Sequence, residues 1–427
     1  MNRIFRIKNS FQNRKSDMIW NTASGVIDAS QSILLLSLIT RICGLQDAGI
    51  FSISYSISIL MLTISRYGMR NYQVTDIKEK YDFEVYFSSR VVTTIAMMIA
   101  SIVRVAYNFV YRDFSGYKSL IVLLVCTLKA IDGIEDVFHA RLQQKKKLAV
   151  AAKAKTLRLL LTLMVQMICL LVIKNLVGAI LVSILVSTCF LLFSLREICD
   201  KEMLAKLKFR FSRIRELLYI CFPLFGARFL SIYISNIPKY SIDTQMDDIV
   251  QACYGFIFTP VYIVNVVGQF IFQPVLVEMA ECWTYRKFKK YLRIILKLIL
   301  VVAVLTLVGI GGCYVWGIPF LSWFYHVDLT AYKGELMLLM LAGGFLATVT
   351  IWNMCLTIMR NQKILLCGYG IVVLLEKISA DYIIKEYALQ GATWLYLASI
   401  VCLCMILGVA VVRMIRKKRR EVQTKIR

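Results

Sequence analysis

The chain has 427 residues, of which 59% are hydrophobic and only 5 are proline, and its mean hydropathy is +0.68. This composition is typical of an integral membrane protein and leaves little chain for a soluble domain. A net charge of +25 would suit a nucleic-acid-binding protein, but the placement of the basic residues, described below, argues against that class. We expect about twelve apolar segments of about 20 residues each, the length that crosses a hydrocarbon core of about 30 Å.

The first apolar segment, residues 18–40, carries polar residues that a lipid-facing helix would not carry. Asn21, Asp28 and Gln31 recur at helical spacing on one side of this segment. A charge near the bilayer centre costs about 2.5 to 3.5 kcal/mol on insertion scales. We therefore expect this stripe to line a water-filled cavity; the alternative is that it holds helices together. The segment lacks the short apolar region and cleavage site of a signal peptide, so we interpret it as a transmembrane helix.

The fourth apolar segment, residues 117–138, also contains charged residues. Lys129 and Asp132 are three residues apart and close enough to pair, and Asp136 lies one turn beyond Asp132 on a similar face. Two interpretations remain open: an internal ion pair that fastens the segment to a neighbour, or a cavity lined by Lys129. Glu135 and Asp136 lie near the end of the segment, where solvation is easier.

The longest hydrophilic connection, Arg196 to Arg215, divides the chain into two halves with six apolar segments each. The sequence therefore predicts an all-α polytopic membrane protein with about 12 transmembrane helices in two six-helix lobes around a central cavity. We assign the lobes to residues 1–205 and 206–427. Two such halves would be parallel repeats, with a substrate site at their interface near the bilayer midplane, an arrangement that suits alternating access.

The second half has two further candidates for function. Arg228 follows Pro223 by roughly a turn and a half in the seventh segment, between apolar residues. Its planar, permanently charged guanidinium suits a phosphate or diphosphate group, although a structural pair with an acid such as Asp28 is the alternative. Glu376 lies beside Lys377 in the eleventh segment, and the two point to different faces of the helix.

Three other arginines lie nearer the ends of their segments. We expect them to extend their charged ends toward the membrane surface. They are Arg90, Arg104 and Arg158.

The basic residues lie mostly on one side of the predicted membrane. Of the 51 lysines and arginines, roughly 38 fall in alternate loops beginning with the N-terminus, roughly 7 in the intervening loops and roughly 6 in the segments. This asymmetry places both termini in the cytoplasm and supports an even number of spans. Basic runs such as Arg416–Arg420 are then topology determinants that also touch anionic lipid, so we expect no nucleic-acid partner.

Signatures of enzymes and metal sites are missing from the sequence. The only histidines are His139 and His326, and the 13 cysteines lie mostly in apolar segments at spacings that match no zinc site or disulfide framework. No phosphate-binding loop of the Walker type occurs. We expect no catalytic residue, metal or cofactor. A polymerase, ligase or glycosyltransferase is disfavoured because the predicted external connections are too short for a catalytic domain.

Several stretches resemble the oligosaccharide flippases of bacterial capsule and cell-surface polysaccharide pathways, and the resemblance covers most of the chain. These stretches are Asn21–Gly25, Arg41, Gly44, Ala48–Phe51, Phe222–Leu224, Asn236–Asp243 and Gln251–Pro260. The resemblance implies the fold shared by multidrug antiporters and the peptidoglycan-precursor flippase, with two six-helix lobes around a V-shaped cavity. It also implies that a cationic cavity receives the diphosphate and sugars while the lipid tail stays in the bilayer.

The function implied is a plasma-membrane flippase with a polyprenyl-diphosphate-linked oligosaccharide as substrate, carried from the inner to the outer leaflet for capsule, exopolysaccharide or O-antigen-like assembly. A polysaccharide polymerase and other assembly proteins are the partners that such a pathway implies. The expected cavity residues are Arg228, Lys129, Asn21, Asp28, Arg41 and Lys239.

The energy source stays open at this point. Export of an anion gains about 2.3 kcal/mol per charge per 100 mV of membrane potential, so the potential alone would suffice. Counter-movement of an ion at Asp28, Asp132 or Glu376 is the alternative. A cation-coupled multidrug exporter of the same fold, with Asp28 as the ion site, is the competing function. The cations Lys129 and Arg228 argue against it, because a drug cation would favour an acidic cavity.

Overall fold

The computed structural model describes residues 10–76, 79–112, 114–145, 147–198, 210–272 and 275–424. These residues are almost entirely helical and contain no β-strand. A π-helical turn, Cys313–Gly317, joins α11 to α12, and a 3-10 turn, Thr330–Tyr332, precedes α13. The helices are α1 (Ser10–Ile42), α2 (Leu45–Arg66), α3 (Met69–Thr75), α4 (Phe83–Tyr111), α5 (Gly116–Gln144), α6 (Leu148–Ile173), α7 (Leu176–Ile198), α8 (Phe211–Gln245), α9 (Asp248–Phe272), α10 (Leu276–Thr284), α11 (Phe288–Gly312), α12 (Ile318–Tyr325), α13 (Lys333–Ile358) and α14 (Gln362–Thr424).

Nine helical segments in the described part of the chain are long and apolar enough to cross a membrane. α14 is one of the nine and consists of two arms. α5 and α9 add 29 and 25 residues, which is also sufficient length. Counting the two arms of α14 separately gives ten such segments in the described part of the chain, and α5 and α9 are long enough to be two more. The prediction of an all-α polytopic membrane protein is confirmed.

α14 folds back on itself at Ala388, whose φ of 49° and ψ of −134° are not helical. The amide of Asn361 donates to the sulfur of Met414 at 3.6 Å, near the open end of the hairpin. Closer to the turn, a Cβ added to Gly368 would lie 3.0 Å from Leu407. In each contact, the two residues are separated from Ala388 by about the same number of residues along the chain. α14 is therefore an antiparallel helical hairpin.

The chain forms two compact units, Met1–Phe229 and Leu230–Arg427, which we call unit 1 and unit 2. α8 contributes its first part to unit 1 and the remainder to unit 2. The assignment of residues 1–205 and 206–427 to two lobes stays a prediction.

α2 lies at the centre of unit 1, packed against α4 and α5. Its small residues allow this close approach: Ser54 and Ser56 bond to carbonyl oxygens of their own helix, so their hydroxyls are satisfied without bulk. On α5, Gly133 faces Ser65 so closely that an added Cβ would collide with the Ser65 hydroxyl. This packing brings the charged face of α5 into the interior of unit 1.

In unit 2, α13 packs against α9, α11 and α14. Gly344 lets α13 approach α11, where the side chain of Thr306 occupies the space that a Cβ would need. The hydroxyl groups of Thr259 and Tyr325 lie 2.8 Å apart and join α9 to α12. The interior of unit 2 is otherwise mainly apolar and aromatic.

Candidate functional site

Four charged residues lie on successive turns of α5, and all four are buried. Lys129, Asp132, Glu135 and Asp136 are 2%, 6%, 2% and 5% exposed. Their spacing of three, three and one residues places them along one broad face of the helix. The expectation that Glu135 and Asp136 would be solvated near the end of the span is wrong, because neighbouring helices enclose them. Each carboxylate therefore needs a cationic partner from another helix or from α5 itself.

Lys129 pairs with Asp132 as the spacing predicts. The Lys129 Nζ atom lies 3.1 Å from the Oδ2 atom of Asp132 and 3.5 Å from Oε1 of Gln31 on α1. The same ammonium lies 5.0 Å from the ring centre of Tyr55 on α2, within reach of a cation–π interaction. Lys129 thus connects α1, α2 and α5 inside unit 1, as the structural interpretation of this pair expected.

Arg158 on α6 is the centre of the charged interior. It is 1% exposed. Its Nε atom donates to Glu135 at 2.8 Å, and one terminal nitrogen lies 2.5 Å from Asp132 and 2.8 Å from the other Glu135 oxygen. The second terminal nitrogen donates to the hydroxyl of Ser187 on α7 at 2.7 Å. The expectation that Arg158 extends to the membrane surface is wrong, since two carboxylates hold it inside.

Asp136 forms ion pairs with two arginines, one on α3 and one on α4. Arg70 lies 2.8 Å from one of its oxygens and Arg90 lies 2.9 Å from the other. Arg90 is completely buried and also donates to the backbone carbonyl of Ser65 at 2.7 Å. The expectation of an extended, surface-directed Arg90 is therefore also wrong. These bonds fix α3, α4 and α5 relative to one another.

In one ion pair of this interior both side chains are partly exposed. The Lys155 Nζ atom on α6 lies 2.7 Å from the Oδ2 atom of Asp28 on α1, and the side chains are 19% and 30% exposed. The Nζ atom of Lys153, also on α6, lies 5.5 Å from the ring centre of Trp20. Asn21 follows Trp20 and is exposed. Asn21 and Asp28, two turns apart on α1, are thus both at least partly exposed.

The sequence analysis missed Lys153 and Lys155. Two lysines followed by Arg158 near the beginning of an apolar segment would have been a usable signal. Basic residues at the end of a helix can extend to the membrane surface, but that role does not require three of them so close together.

We call the joined residues the charge cluster of unit 1. All four of its carboxylates have an ion pair in the described structure. Five cations against four carboxylates leave a surplus of positive charge in a largely buried interior, which attracts an anion and repels a cation. The members are Arg70, Arg90, Lys129, Lys155 and Arg158 with Asp28, Asp132, Glu135 and Asp136.

Four other sequence candidates lie elsewhere. Arg41 is exposed in the last turn of α1, about 20 Å along the helix from Asp28. Arg228 is exposed on the part of α8 that belongs to unit 1. In unit 2, Lys239 is buried with its Nζ atom 4.7 Å from the ring centre of Phe258, and Glu376 is 2% exposed. The charge cluster thus joins Lys129, Asp28 and Asp132, and these four lie outside it.

No arrangement in the described part of the chain suits a metal ion: His, Cys, Asp and Glu residues there form no group of three or more with that geometry. The carboxylates of the charge cluster face arginine and lysine.

No protein-family model matches the chain, and no curated protein sequence matches it either. Solved structures do match. The lipid II flippase MurJ in an inward closed conformation superposes with a TM-score of 0.70 at 13% identity, over 94% of this chain and 87% of that one. An inward-facing multidrug resistance MATE family transporter of the MOP superfamily has a TM-score of 0.68 at 12% identity, over 93% and 96%. A point mutant of the Vibrio cholerae MATE transporter VcmN has a TM-score of 0.66 at 10% identity, over 95% and 97%.

These three proteins are transport proteins rather than enzymes. At such low identity the likeness shows the fold alone. The chain is a multi-pass membrane protein, and its fold is shared by a lipid II flippase and by a multidrug resistance MATE family transporter.

Proposed function

We propose that the chain is a flippase, and that it carries a polyprenyl-diphosphate-linked oligosaccharide from the inner to the outer leaflet by alternating access. The product would serve the assembly of a cell-surface polysaccharide. The observation that carries this proposal is the surplus of positive charge in the charge cluster of unit 1. A diphosphate is a compact anion that such a surplus attracts, and a flippase is among the proteins that share this fold.

Arg70 and Lys155 are the two partly exposed cations among the ion pairs of the charge cluster, and we assign contact with the headgroup to Lys155 because its partner carboxylate is partly exposed too. Lys155 is 19% exposed and Asp28 is 30% exposed, whereas the partner of Arg70, Asp136, is buried. Lys129 is buried among Asp132, Gln31 and Tyr55, so its role is to support the positive potential and to position neighbours rather than to reach the substrate. Asn21, which is exposed, offers an amide to a sugar hydroxyl.

Arg228 and Arg41 are further candidates for binding phosphate, because both are exposed arginines. Lys239 is buried beside Phe258 and belongs to unit 2, so we assign it to the interior of that unit. The isoprenoid tail needs no site of its own, since it stays in the bilayer. Both termini lie in the cytoplasm in this proposal, as the distribution of basic residues predicts.

Membrane potential favours this direction of transport. Outward movement of an anion from a negative interior gains about 2.3 kcal/mol per charge per 100 mV. In the described residues, Asp28 and Asp132 are engaged by Lys155, Lys129 and Arg158. A coupling ion at either carboxylate would have to displace a cationic side chain, whereas no cation is paired with Glu376 in the described part of the chain.

A multidrug exporter is the second candidate, because two of the three named structures are multidrug or MATE transporters. Such an exporter would bind organic cations, and binding in the charge cluster would then require a carboxylate to leave its ion pair. The flippase function predicts a site that prefers anions, and the exporter function predicts a site that prefers cations.

Transport assays in proteoliposomes test the proposal. Purified protein is reconstituted with a fluorescent polyprenyl-diphosphate oligosaccharide, and a membrane-impermeant reagent reports the fraction exposed on each leaflet. A parallel preparation receives a cationic dye. We expect accelerated exposure of the lipid-linked sugar and no dye transport. Dye transport without movement of the lipid-linked sugar would favour the exporter.

A further inference from the structure

Glu376 is a buried carboxylate without a hydrogen-bond partner. It lies on the first arm of the α14 hairpin and is 2% exposed. Neither of its carboxylate oxygens has a hydrogen-bond partner in the described part of the chain. The Ser399 hydroxyl on the second arm is a neighbour, but the two groups do not meet hydrogen-bond geometry. This differs from the charge cluster of unit 1, where each carboxylate has a cation.

α8 and α13 both contact the first arm, and the charged residues of α8 nearest to this contact are Lys239 and Asp243; neither is hydrogen-bonded to Glu376 in the described part of the chain. α13 is aligned with this arm through the Asn353 amide, which donates to the Tyr369 hydroxyl at 2.7 Å. Between Glu335 and Cys355, the sequence of α13 has no titratable side chain.

The second arm, from residue 389 to 412, contains Tyr396, Cys402 and Cys404 as its titratable groups and no charged residue. Tyr396 contacts the ring of Phe258 on α9 at 5.1 Å, and the same ring has Lys239 as a neighbour, 4.7 Å away. The sequence of α9 has Cys253, Tyr254 and Tyr262 but no charged residue after Asp248.

Charged groups near Glu376 along its own arm are already engaged. Lys377 is 45% exposed and lies 3.6 Å from Asp381, one turn further along. Asp381 also accepts a hydrogen bond from the Ser241 hydroxyl of α8. The chain of contacts therefore ends at Asp381 and does not include Glu376.

The cost of burying an unpaired charge favours the protonated form of Glu376. An ionised carboxylate transferred from water to an apolar interior without a partner carries a penalty far above that of a neutral polar group. A neutral carboxylic acid in the same place loses only its hydrogen bonds to water. The described conformation is thus compatible with a proton on Glu376.

We propose that Glu376 is a proton-binding site of the transport cycle. It holds its proton in the conformation described and releases it when the α14 hairpin becomes hydrated in another conformation. This inference rests on the proposed function for its direction: a proton that enters and an anion that leaves both gain from a negative interior. The coupling ion would then be a proton, bound in unit 2, while the charge cluster binds the substrate in unit 1.

Infrared spectroscopy of the protein in lipid tests the proton directly and needs no substrate. A protonated carboxylic acid has a C=O stretching band that a carboxylate or an amide lacks. We expect this band in the wild type at neutral pH and its disappearance on strong alkalinisation. Glu376→Gln should remove the band, Glu376→Asp should keep an acid band, and Glu386→Gln, on the exposed end of the same arm, should leave it unchanged. A band that persists unchanged in Glu376→Gln would overturn the proposal.

Transport under a pH gradient tests the coupling. Glu376→Gln replaces a protonated acid by a neutral amide of the same shape, so its thermal stability should stay close to that of the wild type. With acid outside, we expect severalfold faster export by the wild type and no such acceleration for Glu376→Gln. Equal acceleration of both proteins would overturn the coupling role. If the wild type moves no lipid-linked sugar at all, the proposed function fails, while the infrared result still decides whether Glu376 holds a proton.

Discussion

The ammonium group of Lys155 lies 2.7 Å from the Oδ2 atom of Asp28. The pair joins α6 to α1, and both of its side chains are partly exposed, as is Arg70 among the other ion-paired members of the charge cluster. A partly exposed ion pair contributes only about 0 to 1 kcal/mol to stability. Lys155 can therefore exchange Asp28 for another anion at little cost, which is what a substrate-binding lysine in a transport cycle must do.

Lys155→Ala should impair transport without unfolding the protein. Removal of one charge-assisted hydrogen bond to a diphosphate is worth about 1.5 to 3 kcal/mol, which corresponds to roughly a tenfold or greater loss of apparent affinity. Lys174→Ala, at the exposed opposite end of the same helix, is the matched control and should behave like the wild type. Initial flipping rates over a range of substrate densities give the comparison, and equal rates for the two variants would remove Lys155 from the site.

Arg158→Leu should destabilise unit 1 strongly. The change leaves Glu135 without this guanidinium and removes one of the two cations at Asp132, and breaking a buried ion pair costs about 3 to 5 kcal/mol. Arg196→Leu, at the exposed end of α7, is the control. Thermal unfolding in detergent measures both variants. If Arg158→Leu melts at the temperature of the control, the cluster does not hold unit 1 together.

The sequence predicted the Lys129–Asp132 pair because both residues lie on one helix, where spacing determines proximity. It could not predict the partners of Arg90 and Arg158. Their positions near helix ends favoured extension to the membrane surface, and the decisive carboxylates lie on α5. The order of helices in space determines those pairs, and hydropathy along the chain does not contain it.

The same limit explains why candidate residues chosen from the sequence do not all lie together in the structure. Asp28 and Arg228 are both polar residues in apolar segments, and the sequence allowed them to pair. The structure gives Asp28 a partner on α6, Lys155, in a segment where the sequence analysis had noted only Arg158. The all-α polytopic fold was predicted from the length of the apolar segments alone, and the structure confirms it.

Exchange of Lys129 and Asp132 should lower stability as well as transport. The two charges alone would pair equally well when exchanged. Asp132 also forms an ion pair with Arg158, however, so a lysine at position 132 would be repelled by that guanidinium. We expect Lys129→Asp combined with Asp132→Lys to melt lower than Lys129→Met alone, by thermal unfolding in detergent. The opposite order would show that the contact with Arg158 is unimportant.

Gly133→Ala should loosen the packing of α5 on α2. The added methyl group collides with the Ser65 hydroxyl, which shares a 2.7 Å hydrogen bond with the hydroxyl of Thr94. Overpacking of this kind costs about 1 to 3 kcal/mol. Gly116→Ala, at the start of the same helix, has open space around its added carbon and should leave the melting temperature unchanged or higher. Equal melting of the two variants would contradict the close approach.

Arg228→Ala should reduce flipping more than Arg104→Ala does. Arg228 is exposed on α8 and is a candidate phosphate ligand, whereas Arg104 is half-buried on α4. The comparison needs equal amounts of each variant in the membrane, verified by immunoblot before rates are measured. Equal rates for the two variants would exclude Arg228 from substrate binding.

The most direct measurement compares two substrates that differ only in the linking group, a diphosphate or a monophosphate between the same polyprenyl chain and the same oligosaccharide. Leaflet-specific detection in proteoliposomes gives the flipping rate of each. Because the charge cluster carries surplus positive charge, we expect the wild type to prefer the diphosphate and Lys155→Ala to lose most of that preference, with Lys174→Ala unchanged. No movement of the diphosphate-linked substrate above that in protein-free liposomes, or equal rates for both substrates in the wild type, would contradict the proposed recognition.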